Sequence, residues 1–425
     1  MRGSLHSLVG MQPPARPKRN NMKISAIKTF LMQVGAPGLG RPNSASFGGS
    51  RNWLFVRVET DEGVYGVGEG SGWPRVVETA VKDYAPLLIG EDPCDIDRLW
   101  HKLFLASMGH GQLGTVGGGA LTAIEMALWD IKGKALGAPV WQLLGGRFRD
   151  RIPVYTHAKT ADEARRLKGL GYGALKVSFT GFADPAIVAA IREAVGPEID
   201  LMVDCHGPSW MTFADAVRTA RALEPLEILF FEDPLPPEQW EQYERLRQMT
   251  TIPLAAGERL ATIWGFRPLI ERELVAVVQP DTGRAGGISQ MRKIAAMAEA
   301  HDIMVAPHSG SLGPIAEVAA LHVLATIPNA LMLETFAEDW RGRYEVVTPV
   351  FRAKDGLMSV PNTPGLGIDL VETEILKYPS ERNVREAPGK GTGAFEPGTE
   401  LAYSYTQLRL RRALRFGRDG AKPIA

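Results

Sequence analysis

From Arg151 onward the chain alternates short apolar runs with amphipathic stretches. The apolar runs are IPVYTHA (from Ile152), ALKVSF (Ala174), IDLMVDCHG (Ile199), EILFFEDP (Glu227), IPLAAGER (Ile252), AVVQPD (Ala276), IMVAPH (Ile303) and ALMLETF (Ala330). Between them, ADEARRLKGL, PAIVAAIREAV, FADAVRTARAL, QWEQYERLRQM and GISQMRKIAAMAEAH read as helical segments. Strands that alternate with helices predict a parallel sheet, and eight such units predict a (β/α)8 TIM-type barrel. An open doubly wound sheet is the alternative, but no Gly-rich phosphate fingerprint follows its first strand.

The pattern before Arg151 is different. KISAIKTFLMQV and WLFVRVETDEGVYGVGE read as strands, and TDEG between two alternating runs predicts an antiparallel hairpin. VVETAVKDYAPLLIG, DIDRLWHKLFLAS and ALTAIEMALWDIKGKALG then predict helices, so this part reads as an α+β unit. The Gly/Pro/Ser/Asn-rich segment GAPGLGRPNSASFGGSRN is too long for a simple turn and reads as a lid, with SGWPRV as a second lid segment. Residues 1–21 read as a tail, with MKISAIKTF from Met22 as the apparent start of the folded part. A Gly/Pro-rich stretch near the other end leads into LAYSYTQLRLRRALRFGRDG, a basic extension over 386–425.

Composition narrows the class. The 425 residues exceed one ordinary core, and 45% hydrophobic with 23% charged residues is ordinary for a globular protein. Lys+Arg 48 against Asp+Glu 48 leaves no basic footprint for nucleic acid or an anionic membrane surface. Cys94 and Cys205 form neither a disulfide framework nor a zinc-site spacing, which fits a reducing cytoplasm. No apolar run approaches the roughly 18 residues that span a bilayer.

The ends of the strands carry the chemistry. The third run ends in Asp204 and His206, which alternation sends to one face. The fourth ends in Glu232, the fifth in Glu258, the sixth in Asp281, the seventh in His308 and the eighth in Glu334. In a barrel all of these converge on one mouth. Three carboxylates on adjacent strands, Asp204, Glu232 and Glu258, repel each other without a cation, and an all-oxygen set suits Mg2+ rather than zinc. A bound Mg2+ beside an acid and a base suits abstraction of a proton next to a carboxylate. His308 is the candidate base, with Asp281 on the neighbouring strand as its orienting partner. Glu334, if protonated, would hydrogen-bond the developing enediolate; the alternative is a salt bridge to a nearby Arg.

The stretches ALTAIEMALWDIKGKALGAPVWQLLGG, DCHG, FFEDP, LAAGER, QPD, GGISQMRKIAAMAEAHDIMVAPHSGSLGPIA and LMLETF occur in an order and spacing that carry a family resemblance. The chain resembles the enolase superfamily, in its mandelate racemase subgroup, and most of all galactonate dehydratase and related acid-sugar dehydratases. The resemblance spans most of residues 22–345. It implies a modified (β/α)8 barrel closed by an α+β capping domain built from N-terminal and C-terminal segments. The expected division is capping domain over 22–150, barrel over 151–345 and return to the capping domain over 346–385. It also implies Mg2+ on Asp204, Glu232 and Glu258, and a base dyad of Asp281 and His308.

Racemases and cycloisomerases of the family commonly carry Lys-x-Lys on the second strand, whereas this chain has Lys176, Val177 and Ser178. Ser178 cannot take up a carbon-bound proton, which disfavours two-base racemisation. The dehydratase resemblance implies that His206 protonates the leaving 3-hydroxyl while His308 removes the C2 proton. It places Lys176 near the substrate carboxylate or the metal ligands, and His157 ends the first strand as a further residue near the mouth. The expectation is therefore an Mg2+-dependent hydro-lyase that turns an aldonate, such as galactonate, gluconate or arabinonate, into a 2-keto-3-deoxy acid. A racemase or epimerase of the same superfamily and a catalytically silent metal-binding barrel are the alternatives. A small-molecule substrate and a homo-oligomer are the expected partners. After Glu334 the segment ETFAEDWRGRYEVV departs from the simple galactonate dehydratase pattern, so the sugar itself stays open.

Overall fold

The computed structural model describes residues 22–34, 51–107, 113–179, 184–205, 210–310 and 312–380. The N-terminal tail, residues 35–50 of the lid segment, His206 and the basic C-terminal extension lie outside the described residues.

The first unit is a three-stranded antiparallel sheet with helices on one side. Its strands β1 (Ile24–Val34), β2 (Arg51–Thr60) and β3 (Tyr65–Gly70) run in the order β1-β2-β3. The TDEG hairpin forms as its sequence predicts, with Gly63 in the left-handed region. Helices α1 (Pro74–Leu88), α2 (Ile96–Ala106), α3 (Gly114–Leu136) and the single turn α4 (Val140–Leu143) follow. β3 alternates glycine with larger residues so that Gly66 and Gly68 face α3. A Cβ at either would lie 2.0 Å from a carbonyl oxygen of Ala127 or Ala123, so the helix rests directly on the strand.

The second unit is the barrel. Its strands are β4 (Arg151–His157), β5 (Ala174–Ser178), β6 (Asp200–Asp204), β7 (Ile228–Glu232), β8 (Leu254–Ala256), β9 (Val277–Val278), β10 (Met304–Val305) and β11 (Leu333–Glu334). They lie parallel in the order β10-β9-β8-β7-β6-β5-β4-β11. A parallel bridge between Val305 and Ala330 closes the ring, with Val305 N donating to Asn329 O at 2.9 Å and Leu331 N to Val305 O at 2.8 Å. Tyr155, Ala174, Met202, Phe230, Ala255, Val277, Ala306 and Met332 form one buried cluster, with one residue from each strand or from beside it. This is the filled interior that a closed barrel requires.

Helices α5 (Ala161–Gly169), α6 (Pro185–Val195), α7 (Phe213–Leu223), α8 (Trp240–Arg247), α9 (Thr262–Glu271), α10 (Ile288–Glu299) and α11 (Pro314–Ala325) connect the strands. Side-chain caps start several of them; Thr160 accepts from Glu163 N at 3.2 Å while Glu163 reaches back to accept from Lys159 N at 2.9 Å. After β11 the chain takes a 3-10 turn at Arg341–Tyr344, and no eighth barrel helix follows among the described residues.

The remaining segment joins both units. β12 (Val347–Thr348) pairs with β14 (Asp369–Leu370), and β13 (Leu357–Ser359) lies antiparallel on β4. Tyr65 of β3 donates to Asp369 at 2.6 Å, Arg57 of β2 pairs with Glu372, and Gln33 N donates to Tyr378 O at 2.9 Å. The C-terminal segment thus completes the α+β cap above a modified barrel. No helix among the described residues is long and apolar enough to cross a membrane.

Candidate active site

The barrel strands and the residues just past their C-terminal ends line one mouth. β6 and β7 pair with Asp204 opposite Glu232, so both carboxylates reach the mouth at one level. β5 brings Lys176 inward between them and β4. The Lys176 ammonium is 1% exposed and lies 3.3 Å from Asp204, 3.1 Å from Glu232 and 2.7 Å from Glu334. It is a buried counter-ion to three carboxylates, not a rim lysine reaching for water. Those carboxylates outweigh the burial that opposes its charge and hold its pKa well above the ordinary lysine value.

Glu258, just past β8, turns the other way. Its Oε2 is 2.9 Å from His308 Nε2 and its Oε1 is 2.7 Å from Arg259 Nη2. Among the described residues no three His, Cys, Asp or Glu side chains are drawn to metal-ligand spacing. The donor set nevertheless suits a hard cation. Burial first, and then the neighbouring Asp204, push the Glu232 carboxyl up to about 8 even with Lys176 beside it, and Glu258 adds to that push. A site in which Lys176 leaves the Glu232 carboxyl so strained has room in its charge balance for a divalent ion held by oxygen.

His308 Nδ1 lies 2.6 Å from Asp281 Oδ2. Asp281 is buried, and its carboxylate also takes Gly283 N at 2.8 Å, Ser71 Oγ at 3.2 Å and Arg284 Nη2 at 3.0 Å. Burial works against a charged His308, but Glu258 and Glu334 and the bond to Asp281 outweigh it and hold the imidazole well above its ordinary value.

The sequence leaves two roles open for Glu334, a neutral, donating carboxylic acid or a salt bridge to a nearby Arg. The structure surrounds Glu334 with donors instead: Lys176 at 2.7 Å, His157 Nε2 at 2.8 Å and Ser309 N at 2.7 Å. Burial raises its pKa, but Lys176 and His308 pull it well below the usual carboxylate range, so Glu334 is ionised. The partner is a lysine two strands away, which no local sequence signal points to.

His157 sits closer to the centre than its position at a strand end suggests. Its Nε2 meets Glu334, its Nδ1 is 3.3 Å from Ser178 Oγ, and its ring stacks on Phe336 with centroids 4.8 Å apart. Burial lowers its pKa, so it bridges Ser178 and Glu334 as a neutral imidazole. Ser178 Oγ also lies 3.4 Å from Asp204. Arg259 pairs with Asp233 as well as Glu258, and Arg284 with Asp281. His322, by contrast, is structural: it accepts from Trp141 N at 3.2 Å and bonds Leu366 O at 2.9 Å, and burial lowers its pKa to about 4.

Sequence comparison matches this geometry to known proteins. Residues 27–145 match the family model of the mandelate racemase / muconate lactonizing enzyme N-terminal domain, and residues 159–374 match that of the enolase C-terminal domain-like family. A D-galactonate dehydratase from Variovorax paradoxus (strain S110) is 39% identical over 349 residues, covering 76% of this chain and 90% of that protein. One from Klebsiella pneumoniae (strain 342) is 39% identical over 350 residues with the same coverage. Among solved structures, a 3,6-anhydro-D-galactonate cycloisomerase from Zobellia galactanivorans superposes with a TM-score of 0.76 at 32% identity, covering 84% of this chain and 100% of that one.

Proposed function

Because this chain belongs to the mandelate racemase / muconate lactonizing enzyme subgroup of the enolase superfamily, we propose that it dehydrates an aldonate to a 2-keto-3-deoxy acid. The relatives support a lyase-type reaction on an acid sugar. The observation that carries the dehydratase reading is the pairing of one oriented base, His308, with Ser178 at the position where a second base would stand.

Nδ1 of His308 is committed to Asp281, so Nε2, once it has left Glu258 and given up its proton, is the nitrogen that takes the C2 proton. The electron pair left at C2 moves towards C3, the C3–O bond breaks, and the hydroxyl leaves as water with a proton from His206. The enol so formed tautomerises to the 2-keto-3-deoxy acid. Asp204, Glu232 and Glu258 would hold Mg2+, which supplies charge stabilisation for the substrate carboxylate as it gains electron density. Lys176 holds Asp204, Glu232 and Glu334 together, and on this reading it stands near the substrate carboxylate. Glu334, ionised, fixes Lys176 and His157 and does not donate a proton.

A screen of aldonic and aldaric acids with Mg2+ tests this, with 2-keto-3-deoxy product detected by a carbonyl reagent and C2 followed by NMR in D2O. Product from one or a few sugars, lost in His308→Asn with the fold retained, is the expected result. Deuterium at C2 without loss of water would replace the proposal with an epimerase, and no change in any sugar would refute the substrate class.

A further inference from the structure

The capping domain reaches into the barrel at the rim that carries the dyad. Ser71, directly after β3, donates its backbone N–H to Gly283 O at 2.8 Å. Its hydroxyl accepts from Arg284 Nε at 3.1 Å and lies 3.2 Å from Asp281 Oδ1. Two residues earlier, Glu69 accepts from Gly313 N and from Ala316 N, the latter at 3.0 Å, at the start of α11. Glu125 of α3 accepts from Ile288 N at 2.7 Å and Ser289 N at 2.9 Å at the start of α10. The helices that follow β9 and β10, and so the loops that bear Asp281 and His308, are held from the capping domain.

Ser71 acts on the dyad through a defined hydrogen-bond direction. Because Arg284 Nε–H donates to Ser71 Oγ, the serine proton is left to point at Asp281 Oδ1. Oδ1 then has two donors, Gly283 N and Ser71 Oγ, and Oδ2 has two, Arg284 Nη2 and His308 Nδ1. Two donors on each oxygen fix the rotation of the carboxylate, and with it the direction of the Asp281–His308 bond. The approach is close: a Cβ on Gly283 would lie 2.9 Å from Ser71 Oγ.

We propose that Ser71 is a positioning residue for the His308–Asp281 pair, supplied by the capping domain and acting only when that domain is docked. The proposal rests on the reading of His308 as the base. Its test uses the full-length protein and three variants, Ser71→Ala, Ser71→Thr and His308→Asn. The probes are steady-state kinetics on the sugar acid identified by the screen and the low-field proton resonance of the His308 ring in 15N-histidine-labelled protein, assigned by its absence in His308→Asn.

The expected result for Ser71→Ala is a kcat lower by about 10- to 100-fold with KM within about twofold, as for a misaimed catalytic group. The His308 resonance should move or broaden, and Ser71→Thr, which keeps the hydroxyl, should recover most of both. An unchanged kcat and resonance in Ser71→Ala overturn the proposal while leaving the dehydratase reading in place. A fall in kcat that only follows lost folded protein, with the resonance unmoved, overturns it too. If the parent protein turns over no sugar acid, the function fails, and the resonance alone decides whether Ser71 orients the pair.

Discussion

Replacing Glu125 by Gln separates two opposing effects on one buried carboxyl. Glu125 is 1% exposed and accepts from Trp129 Nε1 at 2.8 Å, Ser289 N at 2.9 Å and Ile288 N at 2.7 Å. Burial disfavours the charged form, these N–H donors and the Ser289 side chain favour it, and burial prevails, raising the carboxyl from 4.5 to about 7. A carboxyl with a raised folded pKa binds its proton more tightly folded than unfolded. Its contribution to stability is complete below pH 4.5 and is lost as pH rises through about 7. At about 1.4 kcal/mol per unit, that interval is worth about 3 kcal/mol. Gln does not titrate. The stability of Glu125→Gln relative to the parent should therefore rise by about 3 kcal/mol between pH 4.5 and pH 8. Parallel urea unfolding of the two proteins at fixed concentration measures this, and any constant cost of the amide cancels. A gap that stays level within about 0.5 kcal/mol would mean that the hydrogen-bond donors around the carboxyl offset burial in full, and a gap of opposite slope would mean that they exceed it.

Two further outcomes follow from the barrel. Mg2+ should raise the Tm of the parent relative to EDTA, by the equivalent of about 2.7 kcal/mol at a hundredfold excess over Kd, and Glu232→Gln should remove most of that rise; a parent indifferent to Mg2+ refutes the assigned donor set. Phe230 fills the barrel interior beside Tyr155, their rings 6.4 Å apart edge to face, and Phe230→Ala should cost about 3–5 kcal/mol in chemical unfolding.

The sequence reveals strands and helices where one residue pattern decides them. Each of the eight apolar runs becomes a barrel strand, and α6 and α7 match their amphipathic segments from end to end. α11 carries no such signature, because all twelve of its residues are buried and no polar face marks a period. α9 is obscured by Gly265 and by Pro268 inside it. The convergence of Asp204, Glu232, Glu258, Asp281, His308 and Glu334 on one mouth was legible because parallel strands bring all their C-terminal ends to one side. The direction each carboxylate faces was not. Ser71 and Asp281 are 210 residues apart, and Glu69 and Gly313 are 244 apart. These two contacts form only when the capping unit docks on the barrel.

Lys176 accounts for three of the carboxylates in the mouth. One ammonium serves Asp204, Glu232 and Glu334, and it stays charged because all three face it in a buried space. A divalent ion at the proposed Asp204 and Glu232 ligands would enter beside that positive charge, and two carboxylates that already share a lysine would hold it weakly. Glu258 supplies the further negative charge, and in this structure that charge is spent on His308 and Arg259. The bond from Glu258 to His308 Nε2 occupies the nitrogen that, on the proposed reading, takes the proton from carbon. If Glu258 turned towards Asp204 and Glu232 it would complete the proposed oxygen set and release that nitrogen. On that reading the base and the cation site would share one carboxylate, and proton abstraction would depend on a filled site.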